Sequence, residues 1–230
     1  MIPILFDQTE KLFNSGGLGF LVDCTSCIVS QERNGIFECE FVYPITGPLY
    51  DFIQEKAIIY VTHDDTKVPQ PFDIYARSAP INGLVTFYAH HISYRLSNSV
   101  VMPFSATSCV DAMSKIQDNI VTTDDFTFWT NKTTVGAYEK TVPSIVRTTL
   151  GGEEGSLLDV YGRGDYEFDK FAVRLYQNKG RDTDVEIRYG KNLLDIEQKI
   201  DSSNVYNAIV PYWVNEETAT LVTLPEGYVS

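Results

Sequence analysis

Between Pro143 and Tyr189 the hydrophobic period changes twice, and this stretch restricts the fold more than any other part of the chain. Pro143 is placed to open a short helix, because its missing N–H is one that a first turn leaves unpaired anyway. Gly151 is placed to close that helix in a left-handed conformation without a Cβ penalty. Ser156 to Tyr161 reads as a second short helix, with Glu153 and Glu154 near its positive end and Gly162 at its stop. The period then falls to two. Phe171, Val173 and Leu175 alternate with Ala172, Arg174 and Tyr176, and Val185, Ile187 and Tyr189 alternate with Glu186 and Arg188. The polar, glycine-containing segment Gln177 to Asp184 between the two runs predicts a hairpin.

The first hundred residues carry the alternation of strands almost throughout. Ile2 to Phe6 reads as a short edge strand, with Pro3 tolerable at its start. Leu21 to Ser30 and Ile36 to Tyr43 flank an Asn34-Gly35 turn signal, and Phe37, Cys39 and Phe41 alternate with Glu38 and Glu40. Leu49 to Gln54 predicts one helical turn and Ala57 to Val61 a strand. Pro69 and Pro71 predict a bend into a strand from Phe72 to Ala76, and Asn82-Gly83 a second tight turn into Leu84 to His91. The sum is a meander that closes into a small barrel or a curled sheet.

The texture changes near Pro103. Val110, Met113, Ile116 and Ile120 fall at helical spacing, which predicts a helix over Thr107 to Asn119 capped by Ser105 or Thr107. Phe126 to Trp129, Leu193 to Ile200 and Val205 to Val214 read as strands, and Leu221 to Leu224 as the start of another. The fold class is α+β and β-rich.

Hydrophobic content of 43% and aromatic content of 13% belong to a folded chain. A formal net charge of −13 argues against sequence-independent binding of DNA or RNA, which needs a basic surface. No stretch approaches the roughly 20 apolar residues of a membrane span. Met1 to Asp7 lacks the basic start of a secretory signal. Cys24, Cys27, Cys39 and Cys109 are read as free thiols of a protein made in a reducing cytosol.

The candidate chemical motifs are incomplete. Cys24-x-x-Cys27 lacks the second ligand pair of a zinc site, and on a strand its cysteines point to opposite faces. The adjacent His90 and His91 are likewise split between faces, with His63 as their remaining company. Asp64-Asp65 and Asp124-Asp125 sit in turn-like contexts. Gly151-Gly-Glu-Glu-Gly155 has no Lys-Ser/Thr ending, and its glutamates repel phosphate. Arg163-Gly-Asp165 links a helix stop to a strand. No catalytic, cofactor-binding or metal-ligating residue is assigned, and no cofactor is expected.

Gly151-Gly-Glu-Glu-Gly-Ser-Leu-Leu-Asp159, the hairpin, Arg188-Tyr-Gly-Lys-Asn-Leu193 and Asn204-Val-Tyr-Asn…Pro211-Tyr-Trp213 resemble the N-terminal hub region of phage tail-associated proteins. This family is labelled phage minor structural protein or prophage tail endopeptidase, and it is similar in fold to the baseplate hub of contractile-tailed phages. The resemblance extends over the whole chain and is most specific from Leu150 onward. It implies a barrel-like antiparallel tube domain over 1–102 and 190–230, interrupted by a peripheral mixed α/β domain over 103–189. It also implies a homotrimeric ring at the virion tail tip, made in the host bacterial cytoplasm. Such a ring closes the tail tube and docks onto the distal tail protein, in company with tube and tape-measure proteins. DNA passes it without specific binding. Family members continue beyond Pro211-Tyr-Trp213 into a second tube domain and lytic or receptor-binding regions. A chain ending at Ser230 is therefore expected to be a truncated or reduced hub, whose C-terminal part is where a second tube domain would begin, and no enzyme. Two readings of other classes are a carbohydrate- or cell-wall-binding β module, favoured if Trp129 and Trp213 share an exposed face, and a cell-wall hydrolase, favoured if two carboxylates face each other across a cleft.

Overall fold

The structure, a computed structural model, describes residues 2–62, 68–180, 184–193, 208–215, 220–225 and 229. His63, Asp64, Asp65, the strand expected over 194–200 and the run 204–207 lie outside the described residues. The chain forms two compact units, Met1–Gly180 and Arg181–Ser230.

The meander becomes one antiparallel sheet. Its strands are β1 (Ile4–Phe6), β2 (Gly19–Phe20), β3 (Ser26–Gln31), β4 (Phe37–Pro44), β5 (Ile58–Thr62), β6 (Pro69–Arg77) and β7 (Leu84–His91). They stand in the order β2-β1-β5-β6-β7-β4-β3 as a curled half-barrel, open at β2 and β3. The alternation seen in the sequence sets which face is dry. Phe37, Cys39, Phe41 and Tyr43 of β4 are buried, as are Val85, Phe87 and Ala89 of β7. Phe41 stacks on Phe87 at 5.0 Å, and Phe37 meets Phe72 edge-on at 5.1 Å. At the β6–β7 turn both Asn82 (φ 51°) and Gly83 (φ 76°) are left-handed, as a tight primed turn requires. Ile81 and Leu84 close it with two backbone hydrogen bonds of 2.9 and 3.0 Å.

Pro69 and Pro71 do not bend the chain away from the sheet; they lie inside β6. The register explains it: β7 pairs with β6 from Phe72 onward, so both prolines fall where β5 is the sole partner. A register shift between Ile74 and Ala76 marks a bulge at Tyr75, which leaves that side chain exposed. β1 is not an edge, since β2 and β5 flank it.

The rest of the first unit is built from small sheets around one helix. β8 (Val100–Val101) pairs with β10 (Ile120–Val121) and β13 (Ser144–Ile145), and β9 (Phe104–Ser108) pairs with β12 (Val135–Lys140). α1 (Cys109–Asn119) buries Cys109, Ala112, Met113 and Ile116; of the expected stripe Met113 and Ile116 are buried, while Val110 is exposed and Ile120 falls after the helix, in β10. Its cap is Ser108, whose Oγ accepts the Asp111 N–H at 3.2 Å; Ser105 and Thr107 sit too early, within β9. α2 (Val146–Leu150) starts later than Pro143, and Gly151 at its end is extended (φ −177°), not left-handed. α3 (Leu157–Tyr161) matches expectation, capped by Ser156 and stopped by Gly162 at φ 78°.

The hairpin after α3 is displaced by one strand. β15 (Ala172–Tyr176) pairs antiparallel with β14 (Asp165–Asp169) and parallel with β11 (Thr127–Thr130). Both edges of β15 are thus occupied, and the expected arm Val185 to Tyr189 is not a strand. In the second unit β16 (Tyr212–Asn215) pairs with β17 (Thr220–Thr223), and the Asn192 side chain closes a turn by accepting from the Arg188 N–H and donating to the Glu186 carbonyl.

Two apolar cores result in the first unit. One lies inside the curled sheet; the other gathers α1, β11 and β15 together with Phe6, Ile58, Tyr60, Ile92 and Leu96 from the first hundred residues. The Asn34 turn adds a polar tie: its Nδ2 donates to the Gly164 carbonyl and its Oδ1 accepts the Tyr166 N–H, both at 2.8 Å. Asn34 is itself left-handed at φ 53°. Asn34→Ala loses both bonds and places a less tolerant residue in that conformation, so urea unfolding should show a loss of about 2 kcal/mol.

Candidate functional site

A cleft of about 780 Å³ opens in the first unit on the polar side of the curled sheet. Tyr75, His90, Tyr94, Arg95, Asp73 and Asp124 are among its lining residues. The bulge at Tyr75 and the register Asp73↔His90 bring an aromatic stack to its wall. The His90 ring lies 4.8 Å from Tyr75 at 14° and 4.8 Å from Tyr94 at 11°. The Arg147 guanidinium sits 4.3 Å from the centre of the Tyr94 ring and continues the array. Burial lowers the His90 pKa, against the smaller opposing pull of Asp73 and Glu38, and so favours the neutral imidazole.

Arg95 is the charged centre of the cleft. It lies in the 3-10 segment Ile92–Ser97 and grips Asp73 through two bonds, Nε to Oδ2 at 2.8 Å and Nη2 to Oδ1 at 2.7 Å. Its Nη1 donates to Asp124 Oδ1 at 2.8 Å. Two carboxylates therefore do meet in a cleft, but both direct oxygens at one guanidinium, which is the geometry of an ion-pair clamp. Asp73, Arg95 and Asp124 come from β6, the 3-10 segment and the turn after β10. Asp124 was visible in the sequence as part of the turn-like Asp124-Asp125 pair, but no local pattern announced Asp73 or Arg95.

The motifs noted in the sequence fall in separate places. His91 is buried, with Nδ1 accepting from the Ser93 N–H at 3.2 Å and Nε2 turned to Gln70 Oε1 at 3.3 Å. His90 and His91 thus face opposite sides of β7. Asp125 is exposed and paired with Lys11. In the Arg163-Gly-Asp165 run, Gly164 is packed so closely that a Cβ would meet Leu175 at 2.8 Å, and Asp165 is buried and paired with Arg33. Gly152 and Gly155 are left-handed, and the Gly155 N–H donates to Asp159 rather than to an open cradle. Among the described residues no group of three His, Cys, Asp or Glu side chains is arranged to hold a metal ion, and no helix is long and apolar enough to cross a membrane.

Trp129 and Trp213 belong to different compact units. Trp129 lies on the outer face of the β11-β15-β14 sheet, edge-on to Tyr176 at 5.3 Å. Beside them Arg174 pairs with Asp169 at 3.0 Å, and Glu167 accepts from Tyr176 and pairs with Lys179, both at 2.9 Å. Burial pushes the Glu167 carboxyl up, but the bonds from Lys179 and Tyr176 outweigh it and hold the group below its ordinary value.

No protein-family model matches the chain, and no curated protein is similar to it. A solved structure is: the crystal structure of prophage tail protein gp18 from Listeria monocytogenes EGD-e, at a TM-score of 0.62 and 21% identity. The match covers 98% of this chain and 68% of the Listeria protein. The chain has the fold of a phage tail protein. At this identity the likeness establishes architecture, so the cleft, the Arg95 clamp and the Trp129 face are properties of this chain's own residues within a phage-tail fold. In that fold Arg95 joins the curled sheet to the turn that leads into β11. Arg95→Ala would strand two partly buried carboxylates and should cost about 3 kcal/mol in urea unfolding. Arg95→Lys, which cannot reproduce the two-pronged grip on Asp73, should recover only part of that.

Proposed function

We propose that the chain is a structural component of a phage or prophage tail, a hub at the tail tip that forms a trimeric ring, closes the tail tube and attaches to the distal tail protein. The observation that carries this reading is the fold shared with a prophage tail protein along 98% of the chain. In this arrangement 1–102 and 190–230 form the tube domain, with 190–230 leading toward a second one, and 103–189 is a peripheral insertion. α1 and β15 share a core with Phe6, Ile58 and Tyr60 of the first hundred residues. Its partners are two further copies of the chain and the neighbouring tail proteins, and its role is not enzymatic.

Two features support the assembly. The curled sheet ends at β2 and β3, and β3 carries none of the lysines or prolines that usually blunt an exposed edge. The formal charge of −13 suits a wall that duplex DNA passes, because a basic lining would gain affinity with every phosphate it neutralised. A three-fold ring requires a heterologous contact between unlike patches. Light scattering across a concentration series should therefore show growth toward a trimer. A dimer that persists at every concentration would contradict the ring.

A further inference from the structure

Three of the chain's thiols converge at the open edge of the curled sheet. β3 runs antiparallel to β4 with Cys27 opposite Phe41 and Val29 opposite Cys39. Cys27 and Cys39 are therefore diagonal neighbours, and their sulfurs lie 3.7 Å apart at the margin of the inner core. Cys24, just before β3, packs with Cys27 against the inner core and donates to the Ser26 carbonyl at 3.1 Å. Cys24 and Cys27 are partly exposed and Cys39 is buried. Cys109 is apart from them, fully buried in the second core.

We infer that this trio is an oxidation site at which a small-molecule disulfide closes one protein disulfide, Cys27–Cys39, with Cys24 as the thiol that first meets the oxidant. The Cys24 thiolate attacks one sulfur of the oxidant and expels its first thiolate, leaving a mixed disulfide. The Cys27 thiolate attacks the Cys24 sulfur and expels the second. The Cys39 thiolate then attacks the Cys27 sulfur and returns Cys24, which takes up a proton. Two protein thiols lose two protons and two electrons, and the oxidant becomes two thiols.

The fold permits the closure. A disulfide needs its sulfurs about 2.0 Å apart, so the 3.7 Å gap must close by rotation of the two side chains and a small slip of β3 along β4. β3 is an edge strand held by one ladder, and its shift strains no second one. Chemistry makes it slow. The Cys24 thiol lowers the Cys27 pKa, but the contact with Cys39 and burial raise it to about 12 overall, while Cys27 and burial push Cys24 up as well. Thiolate is scarce at neutral pH, so closure should accelerate with rising pH. The bond would staple an uncharged edge strand once the protein leaves a reducing compartment. Nothing in this chemistry draws on the tail reading.

The folded protein is incubated with oxidised glutathione at pH 8, its remaining thiols are alkylated, and the linkage is mapped by peptide mass. The expected product is Cys27–Cys39, with Cys24 and Cys109 alkylated. Cys39→Ser should stop at Cys24–Cys27, Cys27→Ser should form no bond, and Cys24→Ser should reach the same bond about tenfold more slowly. If the folded chain keeps all its thiols while the urea-unfolded chain oxidises, or if a bond forms as fast in Cys27→Ser, the inference is wrong. The mapping on the unsubstituted chain decides the matter should a variant fail to fold.

Discussion

The structure of the first unit depends on β5 being dry on both faces. Ile59 and Val61 point into the core of the curled sheet, while Ile58 and Tyr60 point into the core around α1. All four are buried, Ile58 and Ile59 completely. β1 repeats the division beside it, with Leu5 on one side and Phe6 on the other. Each such side chain contributes on the order of 1.5–3 kcal/mol by leaving water, and here the contributions on the two faces come from different cores. A single strand pair is thus a wall common to both. Phe13 reinforces it by stacking 5.0 Å from Tyr60 and 6.4 Å from Phe171, across the chain from the curled sheet to the β14–β15 turn.

Away from this wall the same sheet face turns polar. There β6 and β7 present Asp73, His90 and the bulged Tyr75, which line the cleft together with Tyr94 and Arg95. Arg95 closes the cleft's inner end by satisfying Asp73 and Asp124 together. The Gln70 side chain does similar work three residues earlier in β6, donating to Asp169 at 3.0 Å and accepting the Lys170 N–H at 2.8 Å. The apolar wall joins the two halves of the unit, and these polar ties set how they are turned against each other.

Period-two alternation made most of the curled sheet legible. β7 matches its expected span from Leu84 to His91, and Asn82-Gly83 makes the turn its composition requires. The failures have physical causes. Asp165-Tyr-Glu-Phe-Asp169 alternates as a strand should, but its turn into β15 is Lys170-Phe171, with Lys170 left-handed at φ 51° and no Asn-Gly signal to mark it. The Gly-containing segment after Tyr176 drew the hairpin downstream instead. Prolines within β6 were readable only once the shorter reach of β7 was known. The Cys27–Cys39 approach is a product of strand register and the Arg95 clamp of packing between a strand, a 3-10 segment and a turn, neither of which spacing along the chain reveals; Cys24-x-x-Cys27 was visible, its true neighbour Cys39 was not.

The central claim is that one wall serves two cores, so that within the first unit the strands before Pro103 and the elements from Pro103 to Tyr176 fold as one body. Hydrogen exchange in increasing urea tests this most directly. Amides of β5, β7, α1 and β15 should converge on one global opening, with the same dependence on urea. If α1 and β15 exchange through a separate, cheaper opening while β4 to β7 stay protected, the wall is not shared in the way the burial of Ile58 and Tyr60 implies, and the account fails.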